Sequence, residues 1–248
     1  MHFHLLTIFP EIFESYLRFG ILKRALEKKL VEVSVYNLRD FAAAGDPHRS
    51  VDDTPYGGGP GMVLKVEPIF RGVEFIKQKI TREKRDNSER KILTILTSAR
   101  GAIYRQAKAQ EFEKQYTDLI IICGRYEGVD ERVAKHIADE EISIGEYILS
   151  GGELPALVIV DSVTRLVSGV LGNTASLQQE SYNKINGYDY PVYTKPAVFK
   201  DWSVPSVLLS GNHQQIERWR LRQAGKRKEE LVGGAKTDNI KNNLQGND

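Results

Sequence analysis

The sequence predicts an α/β domain built on a mainly parallel sheet, followed by a small helical C-terminal domain. Two observations lead to this prediction: short apolar runs alternate with amphipathic stretches over residues 1–170, and the composition changes after Gly172. Uniformly apolar runs rich in β-branched residues are typical of strands that are buried on both faces of a parallel sheet. Strands that alternate with helices favour parallel pairing, because each helix returns the chain to the same edge.

Five strands are predicted from the apolar runs. They are Leu5–Phe9, Val31–Tyr36, Ile92–Leu96, Leu119–Cys123 and Ile142–Ile144. Amphipathic periodicity predicts the helices between and beyond them. These are Glu11–Leu30 with a break at Gly20, Glu67–Ile80, Tyr104–Lys114, Asp130–Ala138 and Glu153–Val167, the last with Pro155 in its first turn.

The C-terminal part of the chain differs in character. Residues 173–206 are polar, contain several Tyr and Pro residues and show no period, which indicates a linker or a loop ordered by binding. A helix is predicted from about Asn212 to Ala224. We therefore divide the chain into a catalytic domain over residues 1–170, a linker over 171–200 and a small helical domain over 201–248.

Composition limits the class of protein. The chain has 248 residues, of which 41% are hydrophobic and 27% charged, so a wholly disordered chain is excluded. The single cysteine, Cys123, excludes an internal disulfide and a multi-cysteine zinc site, and it favours the reducing cytoplasm. The apolar runs are far shorter than the ~18 residues that a membrane span needs, so we expect no membrane partner.

Several catalytic signatures are absent from the sequence. It has no GxGxxG, GxxxxGK[ST], HExxH or GxSxG pattern, which removes the dinucleotide fingerprint, the P-loop, the common zinc hydrolases and the serine-hydrolase elbow. The histidines lack metal-ligand spacing with nearby acids, and we interpret His2 and His4 as part of a strand. No metal site is predicted from these residues.

Positive charge is concentrated in one segment. Residues 212–228 carry six basic residues and one glutamate, a charge of +5, which leaves −3 on the rest of a chain whose total is +2. Arg218, Arg222 and Lys226 follow i, i+4 spacing on one helical face. Such a stripe predicts contacts with the phosphates of a nucleic acid. The alternative is a solvated helix with Trp219 in a small core.

Glycine clusters at the ends of predicted strands. Residues 97–101, 123–130 and 143–155 each follow a strand and lead towards a helix, and ligands bind at the carboxyl ends of strands in open α/β sheets. Three such loops would form a pocket for a nucleoside-type ligand, with Glu127 or Glu146 accepting from hydroxyls. The alternative is that each loop is a simple turn. Residues 48–62 form a further glycine-rich loop, whose charged flanks favour ligand binding.

The chain carries the motifs GGGPGM, CGRYEG, SIGEYILSGGELPA, GVLGN and SGNH..I..WR, in that order. Together they resemble the bacterial tRNA (guanine-N1)-methyltransferases of the SPOUT superfamily, which modify the guanine just 3′ of the anticodon. The resemblance covers nearly the whole chain, to about Lys226. It implies a C-terminal trefoil knot in the catalytic domain, S-adenosyl-L-methionine as methyl donor, and a homodimer whose active sites combine both subunits.

The resemblance also implies site residues. The positions that match the family's cofactor contacts are Ser98, Gly124, Tyr126, Glu127, Ser143, Ile144, Gly145, Glu146, Tyr147, Ile148, Leu149, Gly151 and Gly152. For tRNA binding we assign residues of the glycine-rich loop, the linker and the basic helix: His48, Arg49, Asp52, Gly58, Gly59, Ser181, Arg218, Arg222 and Lys226.

Methylation of guanine N1 needs an in-line methyl group, a base for the N1 proton and a group that stabilises charge on O6. Arg165 matches the family's catalytic arginine, which hydrogen-bonds O6. Glu180 stands where the family has its general-base aspartate, and we expect its carboxylate to act from a longer side chain.

Other positions depart from the family pattern. The family usually has Pro, Gln, His and Arg where this chain has Ala99, Arg100, Val192 and Lys195, which bears on tRNA docking. Family activity is linked to Mg²⁺, which we carry over by analogy alone, with no residue assigned.

Two alternative functions stay open at this point. One is a related SPOUT methyltransferase acting on another RNA such as ribosomal RNA, and the other is a non-catalytic RNA-binding relative. The basic helix and the linker acid favour tRNA. The presence of both Arg165 and Glu180 distinguishes an enzyme from a binding protein.

Overall fold

The structure is a computed structural model that describes residues 1–83, 90–172 and 190–225. The chain divides into two units, Met1–Gly172 and Asn173–Asp248. Glu180, Ser181 and Lys226 lie outside the described residues, as does the greater part of the predicted linker.

The first unit is built on a five-stranded sheet in which every pair of neighbouring strands is parallel. Its strands are β1 (His2–Thr7), β2 (Glu32–Asn37), β5 (Ile92–Ile103), β6 (Asp118–Cys123) and β7 (Glu140–Ser143), in the order β2-β1-β6-β5-β7. A separate short hairpin joins β3 (Asp52–Asp53) to β4 (Val63–Leu64). The predicted α/β architecture with a parallel sheet is confirmed.

Helices cover both faces of this sheet. They are α1 (Ile12–Leu17), α2 (Gly20–Glu27), α3 (Val66–Arg82), α4 (Gln106–Gln115), α5 (Glu131–His136) and α6 (Glu153–Thr164), with a 3₁₀ turn at Leu38–Phe41. Alternate residues of β6 point to opposite faces, so Ile121 packs in the core under α1, α2, α4 and α6, while Ile120 and Ile122 pack under α3 and α5. All six residues of β6 are buried, which explains its uniformly apolar sequence after Asp118.

Several predicted strand boundaries are wrong, and those of β1 and β5 differ most. β1 begins at His2 and ends at Thr7, rather than running from Leu5 to Phe9, because its histidines are buried and hydrogen-bonded. β5 continues to Ile103 instead of ending at Leu96, because it resumes pairing with β7 after an interruption.

A buried polar network lies at the amino-terminal ends of β1 and β6. His4 Nε2 lies 3.2 Å from Asp118 Oδ1, and His4 Nδ1 lies 3.2 Å from the hydroxyl of Tyr36. Asp118 also accepts a hydrogen bond from Arg90. Burial by itself raises the pKa of Asp118, but hydrogen bonds from His4, Thr117 and Arg90 outweigh it and lower the pKa to about 2. The carboxylate is therefore ionised although it is fully buried.

This network also groups metal-binding residue types. Ligand atoms of His2, His4 and Asp118 lie within 4.8 Å of one another. The adjacent Arg90 guanidinium already neutralises Asp118, which disfavours a bound cation. Local spacing did not reveal the group, because Asp118 is 114 residues from His4.

The second unit contains a short hairpin and helices. Strands β8 (Val198–Phe199) and β9 (Trp202–Ser203) pair antiparallel, and α7 spans Ser206–Leu209. The last described helix, α8, covers residues 213–225, close to its predicted range. Trp219 is half-buried, and its ring centroid lies 6.3 Å from that of the exposed Tyr193.

No helix among the described residues is long and apolar enough to cross a membrane.

Replacing Asp118 with Asn tests the polar network. The low pKa means that ionised Asp118 contributes stability above its ordinary pKa of 3.8, and this is lost as the pH falls towards about 2. We expect Asp118→Asn to lower the free energy of unfolding by about 2 kcal/mol at pH 7. The difference from wild type should shrink between pH 4 and pH 2, as measured by urea unfolding. An exposed carboxylate, Glu14, supplies the control, and Glu14→Gln should change stability little. A deficit independent of pH would contradict this account.

Candidate functional site

A cavity of about 470 Å³ lies at the carboxyl ends of β5, β6 and β7. Open parallel sheets bind ligands at this edge, and small-molecule sites typically have volumes of roughly 300–1,000 Å³. The three loops that follow these strands provide most of the walls, and Pro155 in the first turn of α6 completes them.

The structure places nearly all of the predicted cofactor residues around this one cavity. Those that line it are Ser98, Gly124, Tyr126, Glu127, Ser143, Ile144, Gly145, Tyr147, Ile148, Leu149, Gly151 and Gly152. Glu146 is exposed and is not among the lining residues. Of the two acids suggested as hydroxyl acceptors, Glu127 is therefore the one at the cavity.

The first wall comes from an interruption in the pairing of β5 with β7. Ile142 pairs with both Thr97 and Ala102, so the residues between them are left out of the ladder. After the interruption, β5 lies close to the backbone of β7 at Gly101. Only glycine permits this contact, because a Cβ there would lie 2.5 Å from backbone atoms of Glu141 and Ile142. Residues 98–100 face the cavity as a result.

The second wall is the loop of residues 124–128 after β6. Tyr126 has φ of 61°, a left-handed conformation that is uncommon for a residue other than glycine and is typical of functional sites. The N–H of Glu127 donates to the Met62 carbonyl at 3.1 Å. The end of the glycine-rich loop therefore packs on this wall, and a Cβ on Gly61 would lie 2.6 Å from Glu127 Cγ.

The third wall is the segment that leads into α6. The N–H of Gly152 donates to the Gly124 carbonyl at 2.8 Å. A Cβ on Gly152 would lie 2.0 Å from Thr97 Oγ1 and 2.8 Å from the Cα of Cys123, so only glycine allows this approach. Exposed apolar side chains of Tyr147 and Ile148 also border the cavity, which suits a flat apolar group such as a purine base.

Sequence reasoning missed a group of charges at the cavity. Arg100 donates to Glu131, and its Nε donates to Glu141 Oε1 at 3.1 Å. Hydrogen bonding from Arg100 lowers the pKa of Glu131 and in turn raises the pKa of Arg100. All three residues line the cavity, so this ionic group forms part of its wall. Local spacing could not reveal partners that are 31 and 41 residues away.

A second missed group joins the second and third walls of the cavity. Arg125 and Glu153 form a partly buried ion pair, with Arg125 Nε 2.8 Å from Glu153 Oε2. The signal was present in the sequence, since both charged residues stand inside glycine-rich motifs at the ends of otherwise apolar segments.

The residues assigned to RNA binding in the glycine-rich loop lie on the surface. His48, Arg49, Gly58 and Gly59 are exposed, and Arg49 donates to Asp40. Asp52 is half-buried in β3. Leu64 in β4 bridges to Val129, so the hairpin that carries this loop adjoins the second wall of the cavity.

Arg165, which is assigned to the chemical step, is not brought to the cavity. Arg165 is the C-terminal cap of α6, is half-buried and does not line the cavity. The helix rises ~1.5 Å per residue, so Arg165 lies roughly 15 Å along the axis from Pro155. In the second unit, Arg218 and Arg222 are exposed on α8.

Comparison with known proteins gives consistent similarity. The family described as tRNA (Guanine-1)-methyltransferase TrmD matches residues 1–231. A tRNA (guanine-N(1)-)-methyltransferase of Dictyoglomus turgidum is 52% identical over 223 residues, which are 90% of this chain and 84% of that protein. The protein of the same name from Clostridioides difficile is 45% identical over 224 residues, 90% of this chain and 92% of the relative.

A solved structure is also similar. The crystal structure of tRNA (m1G37) methyltransferase from Aquifex aeolicus superimposes with a TM-score of 0.75 at 38% sequence identity. The match covers 100% of this chain and 99% of the solved one.

Proposed function

The chain belongs to the tRNA (guanine-1)-methyltransferase family, and we propose that the cavity at its strand ends binds S-adenosyl-L-methionine. It is an enzyme that transfers a methyl group to N1 of the guanine just 3′ of the anticodon in tRNA. The observation that supports the binding site is the convergence of three strand-end loops, each matching a family motif, on one cavity.

The residues around the cavity fit the chemistry of this donor. Glycine-rich loops expose backbone N–H and C=O groups that can hydrogen-bond an adenine edge, and apolar side chains can cover its faces. The exposed carboxylate of Glu127 can accept from ribose hydroxyls. Bound there, the donor supplies an electrophilic methyl group, and the protein must supply everything else.

Two residues are assigned to the chemical step. Glu180 removes the N1 proton of guanine, so that the nitrogen lone pair can accept the methyl group. Arg165 donates hydrogen bonds to O6, where negative charge develops as the proton leaves. Both assignments rest on the family motif, and Glu180 lies outside the described residues.

The position of Arg165 favours a homodimer. Leu154, Val158 and Arg165 follow i, i+4, i+11 spacing on one face of α6, and the two apolar side chains are 56% and 43% exposed. In a two-fold interface, antiparallel α6 helices would bury these apolar side chains. The same arrangement would set Arg165 beside the cavity of the partner subunit. The cavity of its own subunit lies too far away along α6.

The basic face of α8 is assigned to tRNA. Arg218 and Arg222 are exposed one turn apart, and their guanidinium groups can contact successive phosphates. Since tRNA is the substrate, we place the enzyme in the cytoplasm.

The cavity does not favour a Mg²⁺ site among the described residues. Glu131 and Glu141, two of its acidic residues, both accept hydrogen bonds from Arg100, so the guanidinium group already balances their negative charge. No step of the proposed mechanism is routed through this metal.

Glu180→Gln tests the proposed base. The amide is the same size but cannot accept the N1 proton, so we expect turnover to fall by about 10²–10⁴-fold. Binding of S-adenosylmethionine, measured by calorimetry, should change little. Glu180→Asp is the matched control, because it restores the family's usual residue and should keep substantial activity. Near-normal methyl transfer by Glu180→Gln would refute the assignment.

Charge reversal tests the basic face. Arg218→Glu with Arg222→Glu should weaken tRNA binding. The loss of two phosphate contacts should reduce the magnitude of the slope of log affinity against log salt by about 2. Cofactor binding should be unchanged. The control is Arg24→Glu with Lys28→Glu, the same change of charge on an exposed i, i+4 pair formed by a residue of α2 and its C-terminal cap. Equal loss of tRNA affinity in both double variants would contradict a specific role for α8.

Mixed dimers test the shared active site. Arg165→Ala removes the catalytic arginine, and Gly152→Ala fills the space in which the cavity wall meets Cys123. Each variant alone should lack activity. Co-expressed, they should form heterodimers with one restored site, made from an intact cavity and the intact Arg165 of the other subunit. If purified heterodimers stay as inactive as the parent variants, the site does not combine two subunits in this way.

A further inference from the structure

The geometry points to Glu153 as a positioning residue for the cofactor cavity. It acts through Arg125, whose side chain ties the loop after β6 to the start of α6. This inference rests on the proposed function, because it concerns the cavity assigned to S-adenosylmethionine.

Glu153 is held on both of its oxygens. Its side chain is 1% exposed, Oε2 accepts from Arg125 Nε at 2.8 Å, and Oε1 accepts from Thr7 Oγ1 at 2.7 Å. Thr7 ends β1, Arg125 follows β6 and Glu153 begins α6. One carboxylate therefore connects three elements at the edge of the sheet where the cavity opens.

Arg125 extends this connection into the cavity wall. Its Nη1 donates to the Ser150 carbonyl at 3.1 Å, and its backbone bridges to Gly151. The guanidinium carbon lies 4.7 Å from the centroid of the Phe9 ring, within the range of a cation–π contact. A Cβ on Gly151 would lie 2.2 Å from Arg125 Nε, so the glycine leaves the space that this side chain fills.

Because the carboxylate of Glu153 is buried, the structure must keep Arg125 next to it. A carboxylate removed from water is costly unless it is paired and hydrogen-bonded, and loss of one partner leaves an uncompensated buried charge. The loops can adopt their observed arrangement with low energy only when Arg125 reaches Glu153. Such a pair adds little net stability over apolar packing, and its best-attested use is to specify one conformation.

Glu153 is a positioning residue, because it does not line the cavity itself. Arg125, Ser150 and Gly151 do line it. Glu153 therefore acts on the cofactor through the lining residues that it holds in place, and Arg125 is the one that it contacts directly.

A matched ion pair exists at the opposite end of the sheet. Arg90 and Asp118 have side chains 19% and 0% exposed, compared with 18% and 1% for Arg125 and Glu153. Neither Arg90 nor Asp118 lines the cavity. The two pairs are comparable in burial and chemistry, and they differ in whether they touch the cavity wall.

The test compares Glu153→Gln with Asp118→Asn. Both variants keep the size of the side chain and remove the charge, so both should lose stability in urea unfolding. We expect Glu153→Gln to weaken S-adenosylmethionine binding by about tenfold or more, equivalent to about 1.4 kcal/mol, while Asp118→Asn stays within about twofold of wild type. The KM for the cofactor should rise in Glu153→Gln, with little change in kcat at saturation.

Arg125→Lys separates positioning from stability. Lysine keeps the charge next to Glu153, so the fold should be retained, but an ammonium cannot span Glu153 and the Ser150 carbonyl as the guanidinium fork does. Cofactor binding should therefore weaken while the unfolding free energy stays close to that of wild type. This variant remains informative even if Glu153→Gln does not fold.

Three results would overturn the inference. Wild-type cofactor affinity in Glu153→Gln or in Arg125→Lys would show that the pair does not position the cavity. Equal loss of affinity in Glu153→Gln and Asp118→Asn would show general destabilisation instead. Absence of cofactor binding by the wild-type protein would refute the proposed function itself, a distinct result.

Discussion

The close approach of Gly152 to the end of β6 is the contact on which the cavity depends. Because residue 152 has no side chain, the start of α6 can lie against the backbone of Cys123 and Gly124. This contact brings the third loop over the strand ends and forms the wall opposite the β5 interruption. The motif GGELPA therefore has a steric reason. Its two glycines let the start of α6 approach the loop after β6, and the acid that follows them, Glu153, pairs with Arg125.

Each end of the sheet has a buried ion pair, and the two pairs have different roles. At the amino-terminal end, Asp118 is held by Arg90 and His4 in a network that links β1 to β6 and does not line the cavity at the carboxyl ends. At the carboxyl end, Glu153 and Arg125 are buried to the same degree, but their neighbours are cavity walls. Similar electrostatics thus supports stability at one end and the shape of a binding site at the other. The ion pairs of Arg100 with Glu131 and Glu141 add a third group of charges, at the cavity wall.

Local patterns were sufficient to predict most of the fold and the cavity. Apolar runs located all five strands of the sheet, and twelve of the thirteen cofactor residues named from the motif match line the cavity. The errors arose where contacts between residues distant in sequence set the ends of a strand. His2 and His4 belong to β1 because they can hydrogen-bond Ser34 and Asp118 in the buried interior. β5 resumes after its interruption because it pairs again with β7. The ion pairs of Arg100 and Arg125 join residues that are 28 to 41 positions apart, so spacing along the chain does not predict which residues pair. The trefoil knot, the RNA contacts and the roles of Glu180 and Arg165 remain predictions.

The most direct test of the central claim is hydrogen–deuterium exchange with and without S-adenosylmethionine, read by mass spectrometry. Exchange slows where a bound ligand orders or covers backbone amides. The account predicts that protection on binding is concentrated in residues 97–103, 124–129 and 143–155, with little change at the amino-terminal ends of β1 and β6. Saturating cofactor that leaves these three loops unprotected, or that protects a different surface, would contradict it.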